Sequence, residues 1–130
     1  MAAPLPLPAL HATHAGIWLC GSDGQVREAP LVREVGRDEA IARAAETPHI
    51  ILNAPLIGQR LGYPDLSGLD LLELFAFIHP ARFAVPTVAG LSRTLGLEPP
   101  SSEAEAAALL PAMAAKLLAR RGTTPWPVCA

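Results

Sequence analysis

A chain of 130 residues is one domain's worth of polypeptide or the leading piece of something larger. Hydrophobic residues make up 51% and aromatics 5%, so the core must be built from Ala, Leu, Val and Ile, and it needs neither metal nor disulfide to hold it. Charged residues are sparse at 17% and nearly balanced at −2, which excludes a polybasic nucleic-acid module and an acidic disordered tail, and 14 scattered prolines exclude a plain helical bundle.

Residues 1–12 read as an extended, Pro-rich leader. The leader lacks the Lys/Arg region of a signal peptide, and Pro4, Pro6 and Pro8 break the helix that such a signal requires. No stretch approaches the roughly 18 consecutive apolar residues of a membrane span. The expectation is a cytoplasmic protein with no membrane partner. His14 to Cys20 is a short apolar run with Ile17 and Trp18, and the turn chemistry of GSDGQ follows it. Val26 and the alternation over Leu31–Val35 then predict the second strand of a hairpin, interrupted near Pro30.

Asp38 to Glu46 has good helix formers with the acids first, and Thr47–Pro48 ends it. His49 to Asn53 is too short for a helix and rich in Ile, so it predicts a buried strand. Pro55 can open a short helix through Arg60, stopped at Gly62. Leu69 to Ile78 is apolar on nearly every face, predicting a helix buried on several sides and ended by Pro80. Thr87 to Leu95 fits a short amphipathic helix capped by Gly96. Ser102 to Arg121 is the last helix: Ser102 and Glu105 have capping-box spacing, Leu109, Met113 and Leu117 form the expected core stripe, and Pro111 is expected to kink it.

The order strand, strand, helix, strand and then helices predicts an α/β (or α+β) fold with a small three-stranded sheet and four to five helices. Residues 13–121 form the expected domain, with 122–130 a linker toward a further region. There is no internal repeat and no low-complexity tract.

Little chemistry stands out. GxxxxGK[ST] is absent and the single lysine is Lys116, so these residues hold no P-loop. His11 and His14 have HxxH spacing but sit in the leader without a nearby acid or Cys, which favours exposed histidines over a metal pair. His49 opens a strand and His79 closes a helix, where an imidazolium complements the dipole. Ser67, Ser92, Ser101 and Ser102 have no nucleophile-elbow context. Cys20 and Cys129 lack metal-ligand spacing and are read as two separate reduced thiols. Arg33, Arg37, Arg43, Arg120 and Arg121 make a basic patch only if the fold brings them together; a solvated surface is the default. Asp70 and Glu73, three apart on one helix side, could hold a divalent cation, but they are better placed as N-cap and N3 of their helix.

Three pieces carry a resemblance: LNAPLIGQRL at Leu52–Leu61, LDLLELFAFIHP at Leu69–Pro80 and VAGLSRTLGLE at Val88–Glu98. Their order and spacing resemble the middle of the 3′–5′ exonuclease domains of the ribonuclease-H-like fold, which implies a truncated version of that layout. Such exonucleases use four acidic residues to hold two divalent metals. Here His14–Cys20, expected as the first strand, has no acid. The second-motif Asp falls on Ile57. In the last motif, near Pro100–Glu105, the His is missing and Glu105 is the acid that matches. Asp70 and Glu73 match a structural helix of those domains. The resemblance therefore implies a site without its metal acids: no catalytic residue and no metal.

The wider wording of residues 9–127 is similar to the N-terminal region of DinG-type ATP-dependent DNA helicases of alphaproteobacteria, where a nuclease-like leader precedes the motor. That resemblance implies a superfamily 2 helicase with iron–sulfur-type relatives. ATP and Mg would be bound only by a motor downstream of Ala130. It also implies a silent domain for docking or nucleic-acid positioning, with DNA and the intramolecular motor as partners. An enzyme reading competes with this, a divergent metal-dependent nuclease using Asp65, Asp70, Glu73 and Glu105. A third is a small stand-alone interaction protein pairing through its Leu69–Ile78 helix.

Overall fold

The computed structural model describes residues 7–21 and 32–123, with the backbone alone for 120–123. Along the chain run β1 (Ala9–Thr13), β2 (Gly16–Cys20), β3 (Val32–Val35), α1 (Arg37–Glu46), β4 (His49–Ile51), α2 (Ala54–Leu61), β5 (Gly68–Asp70), α3 (Leu71–Ile78), α4 (Val88–Thr94) and α5 (Glu103–Thr123). The fold is α/β.

The described strands form one five-stranded mixed sheet in the order β3-β2-β1-β4-β5, where three strands were expected. β1 pairs antiparallel with β2, and β2 with β3, whereas β4 runs parallel to both β1 and β5. Two strands account for the difference. β1 starts at Ala9, inside the stretch expected as leader, and is the central strand. Its sequence, ALHAT, is poor in β-branched and aromatic residues; burial between two neighbours, not propensity, makes it a strand. Pro8 stands immediately before it and contributes its carbonyl, which accepts from Ile50 N at 2.7 Å. β5 takes Gly68–Asp70, so the helix expected from Leu69 starts at Leu71 instead. The hairpin expected between His14–Cys20 and Leu31–Val35 forms, with β2 antiparallel to β3, but β2 starts at Gly16 and pairs on its other edge with β1.

Period-two alternation sorts the strand residues between two layers of helix. Ala9, Cys20, Ile50 and Leu52 face α3, α4 and α5, joining Leu71, Phe75, Leu91, Leu110, Met113 and Leu117. Leu10, Ala12, Leu19 and Ile51 face the other way, against Ala40, Ile57, Leu61 and Leu66 from α1, α2 and the loop after α2. Burying each of the large aliphatic side chains stabilises the fold by about 1.5–3 kcal/mol. Along α5 the deepest positions are Ala107, Leu110, Met113, Ala114 and Leu117, each fully buried, while Leu109 is half-buried. The stripe is thus set one residue later than Leu109 at its N-terminal end.

The helix ends follow the local chemistry expected of them. Asp70 caps α3, accepting from Leu72 N at 3.0 Å, and Thr87 caps α4, accepting from Gly90 N at 2.9 Å. Gly62 closes α2 with φ +70°, a left-handed conformation that costs a glycine nothing. The helix over Leu71–Ile78 is less enclosed than its composition implies. Leu71 and Phe75 are buried, whereas Ala76 and Phe77 face outward. Among the described residues no helix is long and apolar enough to cross a membrane.

Candidate functional site

The sheet order places a switch point between β1 and β4, since the chain leaves β1 toward β2 on one side and returns through β4 on the other. In α/β sheets the crevice at the carboxyl ends of such strands is where ligands bind. A cleft of about 560 Å³ opens there. Its floor is the end of β1 (His11, Ala12, Thr13) with Leu52 just past β4; Leu56, Ile57 and Arg60 of α2 form one wall, and Pro86–Ala89 and Pro100–Glu103 form the others. The volume lies within the roughly 300–1,000 Å³ range of small-ligand sites.

One polar cluster stands in an otherwise largely apolar lining. His11 Nε2 lies 3.4 Å from Glu103 Oε1, joining the central strand to the first turn of α5. A hydrogen bond from Thr13 is the main cause holding the Glu103 carboxyl below its ordinary range; burial opposes this, and His11 and the more distant His14 add to it. Burial keeps the His11 imidazole below its ordinary value, with Arg60 pushing the same way and Glu103 opposing. Arg60 spans from α2 to the sheet, donating from its guanidinium to Ala12 O at 2.8 Å. His11 also lies beside Trp18 of β2, with ring centroids 6.1 Å apart.

Sequence reasoning missed His11, Thr13, Arg60 and Glu103 as cleft residues. His11 was assigned to the leader, whereas it sits half-buried on the central strand. His14, its HxxH partner, is exposed beyond the end of β1. Glu105, the acid that matched the last exonuclease motif, turns away: its carboxylate accepts from Ser101 N at 3.0 Å and from the Ser101 hydroxyl at 2.8 Å. The readable signal was the capping spacing itself. An N3 acid engaged with the residues before its helix is held out of the cleft, which leaves Glu103 at the first helical position to face it.

The four carboxylates of the nuclease alternative have separate surroundings. Asp65 is exposed on the loop after α2, and Glu73 is exposed on α3. Asp70 is buried at the end of β5, where its two oxygens accept from Asn53 N (3.0 Å), Ala54 N (2.8 Å) and Leu72 N (3.0 Å). Glu105 is occupied with Ser101 as described. Among the described residues, no three His, Cys, Asp or Glu side chains are grouped so as to hold a metal ion.

The remaining candidates have local roles. His49 is buried, with Nδ1 2.7 Å from Thr47 O, and burial lowers its pKa. Ser92 donates to Ala89 O at 2.9 Å within α4. Cys20 is a free, buried thiol whose pKa burial raises, the opposite of an activated nucleophile; Cys129 lies outside the described residues. Among the described residues, two arginines of the basic patch are paired with acids. Arg33 and Arg43 both reach Glu39, and Arg43 also approaches Glu46. The Arg120 and Arg121 side chains lie outside the described residues.

No family model, no curated protein and no solved structure matches this chain.

Proposed function

We propose that this chain is a non-catalytic, ribonuclease-H-like domain of the 3′–5′ exonuclease type, the N-terminal docking or nucleic-acid-positioning part of a DinG-type ATP-dependent DNA helicase. The observation that carries this reading is the pairing of a sheet layout with a cleft chemistry. Three antiparallel strands are followed by two parallel ones, in the order β3-β2-β1-β4-β5, and we set this mixed sheet beside the resemblance of Leu52–Glu98 as support for the reading. The crevice where a ribonuclease-H-like domain would assemble its metal acids is lined by His11, Thr13 and Ile57, with Glu103 as its one carboxylate among the described residues.

Two divalent ions held between strands need several carboxylates to offset their charge, and bridging oxygens to set their spacing. A single glutamate, already engaged by Thr13 and His11, does not fit that group. Ile57, where the second motif would place an Asp, instead contributes to the apolar core beneath α2. In this reading the cleft retains shape and position without hydrolytic chemistry, and ATP turnover belongs to a motor C-terminal to these residues.

A cleavage assay with Mg²⁺ or Mn²⁺ on single-stranded and 3′-overhang DNA tests it. The expected result is no cleavage above the metal-free control. Dose-dependent cleavage that disappears in Glu103→Gln or Asp70→Asn would overturn the silent-domain reading in favour of a divergent nuclease.

A further inference from the structure

The connection from α3 to α4 and the helix that follows form a second surface, outside the cleft. The 24 residues from 74 to 97 contain no Asp or Glu, and they carry Arg82 and Arg93. Phe83 is 81% exposed and Val85 51% exposed, although the segment that bears them is firmly tied down. Arg82 N donates to His79 O at 3.1 Å, and Thr87 N to Val85 O at 2.8 Å. The Arg82 guanidinium lies over the Phe75 ring, 5.9 Å from its centroid, and donates to Thr94 O at 3.4 Å. Val85 also presses on Gly90 so closely that a Cβ there would come within 2.5 Å of it.

Two further cations stand on α4 and α5. Arg93 follows Gly90 by three residues and so lies on the same side of α4 as the Val85 contact. Lys116 of α5 brings its Nζ beside Gly96, at the other end of α4. All three cations are exposed, and among the described residues neither Arg93 nor Lys116 has an ion-pair partner. An anchored loop that presents an aromatic and a branched aliphatic side chain loses little entropy on binding.

We propose that this face, centred on Phe83 and Val85 and ringed by Arg82, Arg93 and Lys116, docks a short acidic peptide segment of a partner protein through one or two apolar side chains. Charge complementarity selects the partner. Its carboxylates meet three exposed cations, two of which, Arg93 and Lys116, form no ion pair among the described residues, and its apolar side chain covers Phe83 and Val85. A nucleic-acid strand is the poorer match. Successive bases need successive aromatic planes, whereas the exposed side chain two residues on from Phe83 is Val85. The inference does not depend on the helicase reading.

Fluorescence anisotropy with the full chain tests it, using a labelled twelve-residue peptide of Asp, Glu, Leu and Phe. The same peptide with Lys replacing its acids and a labelled oligo-dT are the comparison probes. The acidic peptide is expected to bind at least about tenfold more tightly than the lysine peptide, and to weaken as salt rises. Phe83→Ala and Arg93→Glu, both at exposed positions, should each weaken it about tenfold or more while the far-ultraviolet circular dichroism stays unchanged. Equal binding of the two peptides, or acidic-peptide binding unaffected by either substitution, would overturn the proposal. So would tighter binding of oligo-dT that is lost in the same two variants, which would assign the face to single-stranded nucleic acid.

Discussion

Asp70 accepts a hydrogen bond from the backbone N–H of Asn53 across 3.0 Å, tying the end of β5 to the turn that leads from β4 into α2. Asn53 holds that turn at φ +71°, a left-handed conformation uncommon for a residue with a side chain. Its own side chain caps α2, accepting from Leu56 N at 3.3 Å. One buried carboxylate thus secures a strained turn, the start of α2 and the start of α3 together. Replacing Asp70 with Ala leaves three backbone donors without their acceptor, at a cost of about 2–4 kcal/mol. Asn at this position, with one acceptor oxygen, should recover part of the loss. Urea denaturation of the two variants measures the difference, and equal stability of Asp70→Ala and the parent would refute this role.

Acid should weaken the fold before the carboxylates titrate. Burial holds His11 and His49 below their ordinary value of 6.5, so the unfolded chain takes up protons more readily than the folded one. The stability these neutral imidazoles contribute is complete above pH 6.5 and is lost as the pH falls through their depressed folded values. Melting temperatures measured from about pH 7.5 to 5 should therefore decline on the acid side. A His11→Gln, His49→Gln double variant should give a flatter profile over that interval. A parent profile already flat there would show that neither histidine resists protonation.

The register of α5 can be read by deletion. Leu110 is fully buried between the sheet and the helices beside it, so Leu110→Ala should cost about 2–5 kcal/mol. Leu109, half-buried at the margin of the same core, should cost clearly less when cut to Ala. Chemical denaturation of both variants orders them, and a larger loss at Leu109 would mean that the helix is rotated from the position described.

Gly90 admits no side chain without movement of its neighbour. A Cβ there would sit 2.5 Å from both Cβ and O of Val85, and backbone cannot yield as a flexible side-chain tip does. Gly90→Ala should destabilise by about 1–3 kcal/mol, the typical cost of overpacking. Faster proteolysis within residues 82–87 should accompany it as that segment is displaced. An unaltered cleavage pattern together with parent-like stability would argue that the contact is loose.

Much of the helical architecture was legible in the sequence because its signals are local. Proline after Thr47 and at position 80, the Asp70 cap and the stop at Gly62 mark ends that depend on a few adjacent residues and little else. The buried strand after Pro48 was legible for the same reason. Its three residues are all buried, and a run that short and apolar suits nothing but a strand enclosed on both faces.

What the sequence by itself determined, then, is a chain of α/β or α+β class with these helices and one buried strand. The tertiary structure alone decided that Ala9–Thr13 and Gly68–Asp70 are strands. Neither has strong β propensity, and each becomes a strand because neighbouring backbones satisfy its hydrogen bonds. It also decided the cleft. His11, Arg60 and Glu103 are 49 and 43 positions apart in succession along the chain, and only the parallel pairing of β1 with β4 brings the elements that carry them to one end of the sheet. Low charge and few aromatics, read first as exclusions, become in the fold a sparsely charged crevice beside an acid-free apolar face, because residues distant in sequence meet only when the core closes.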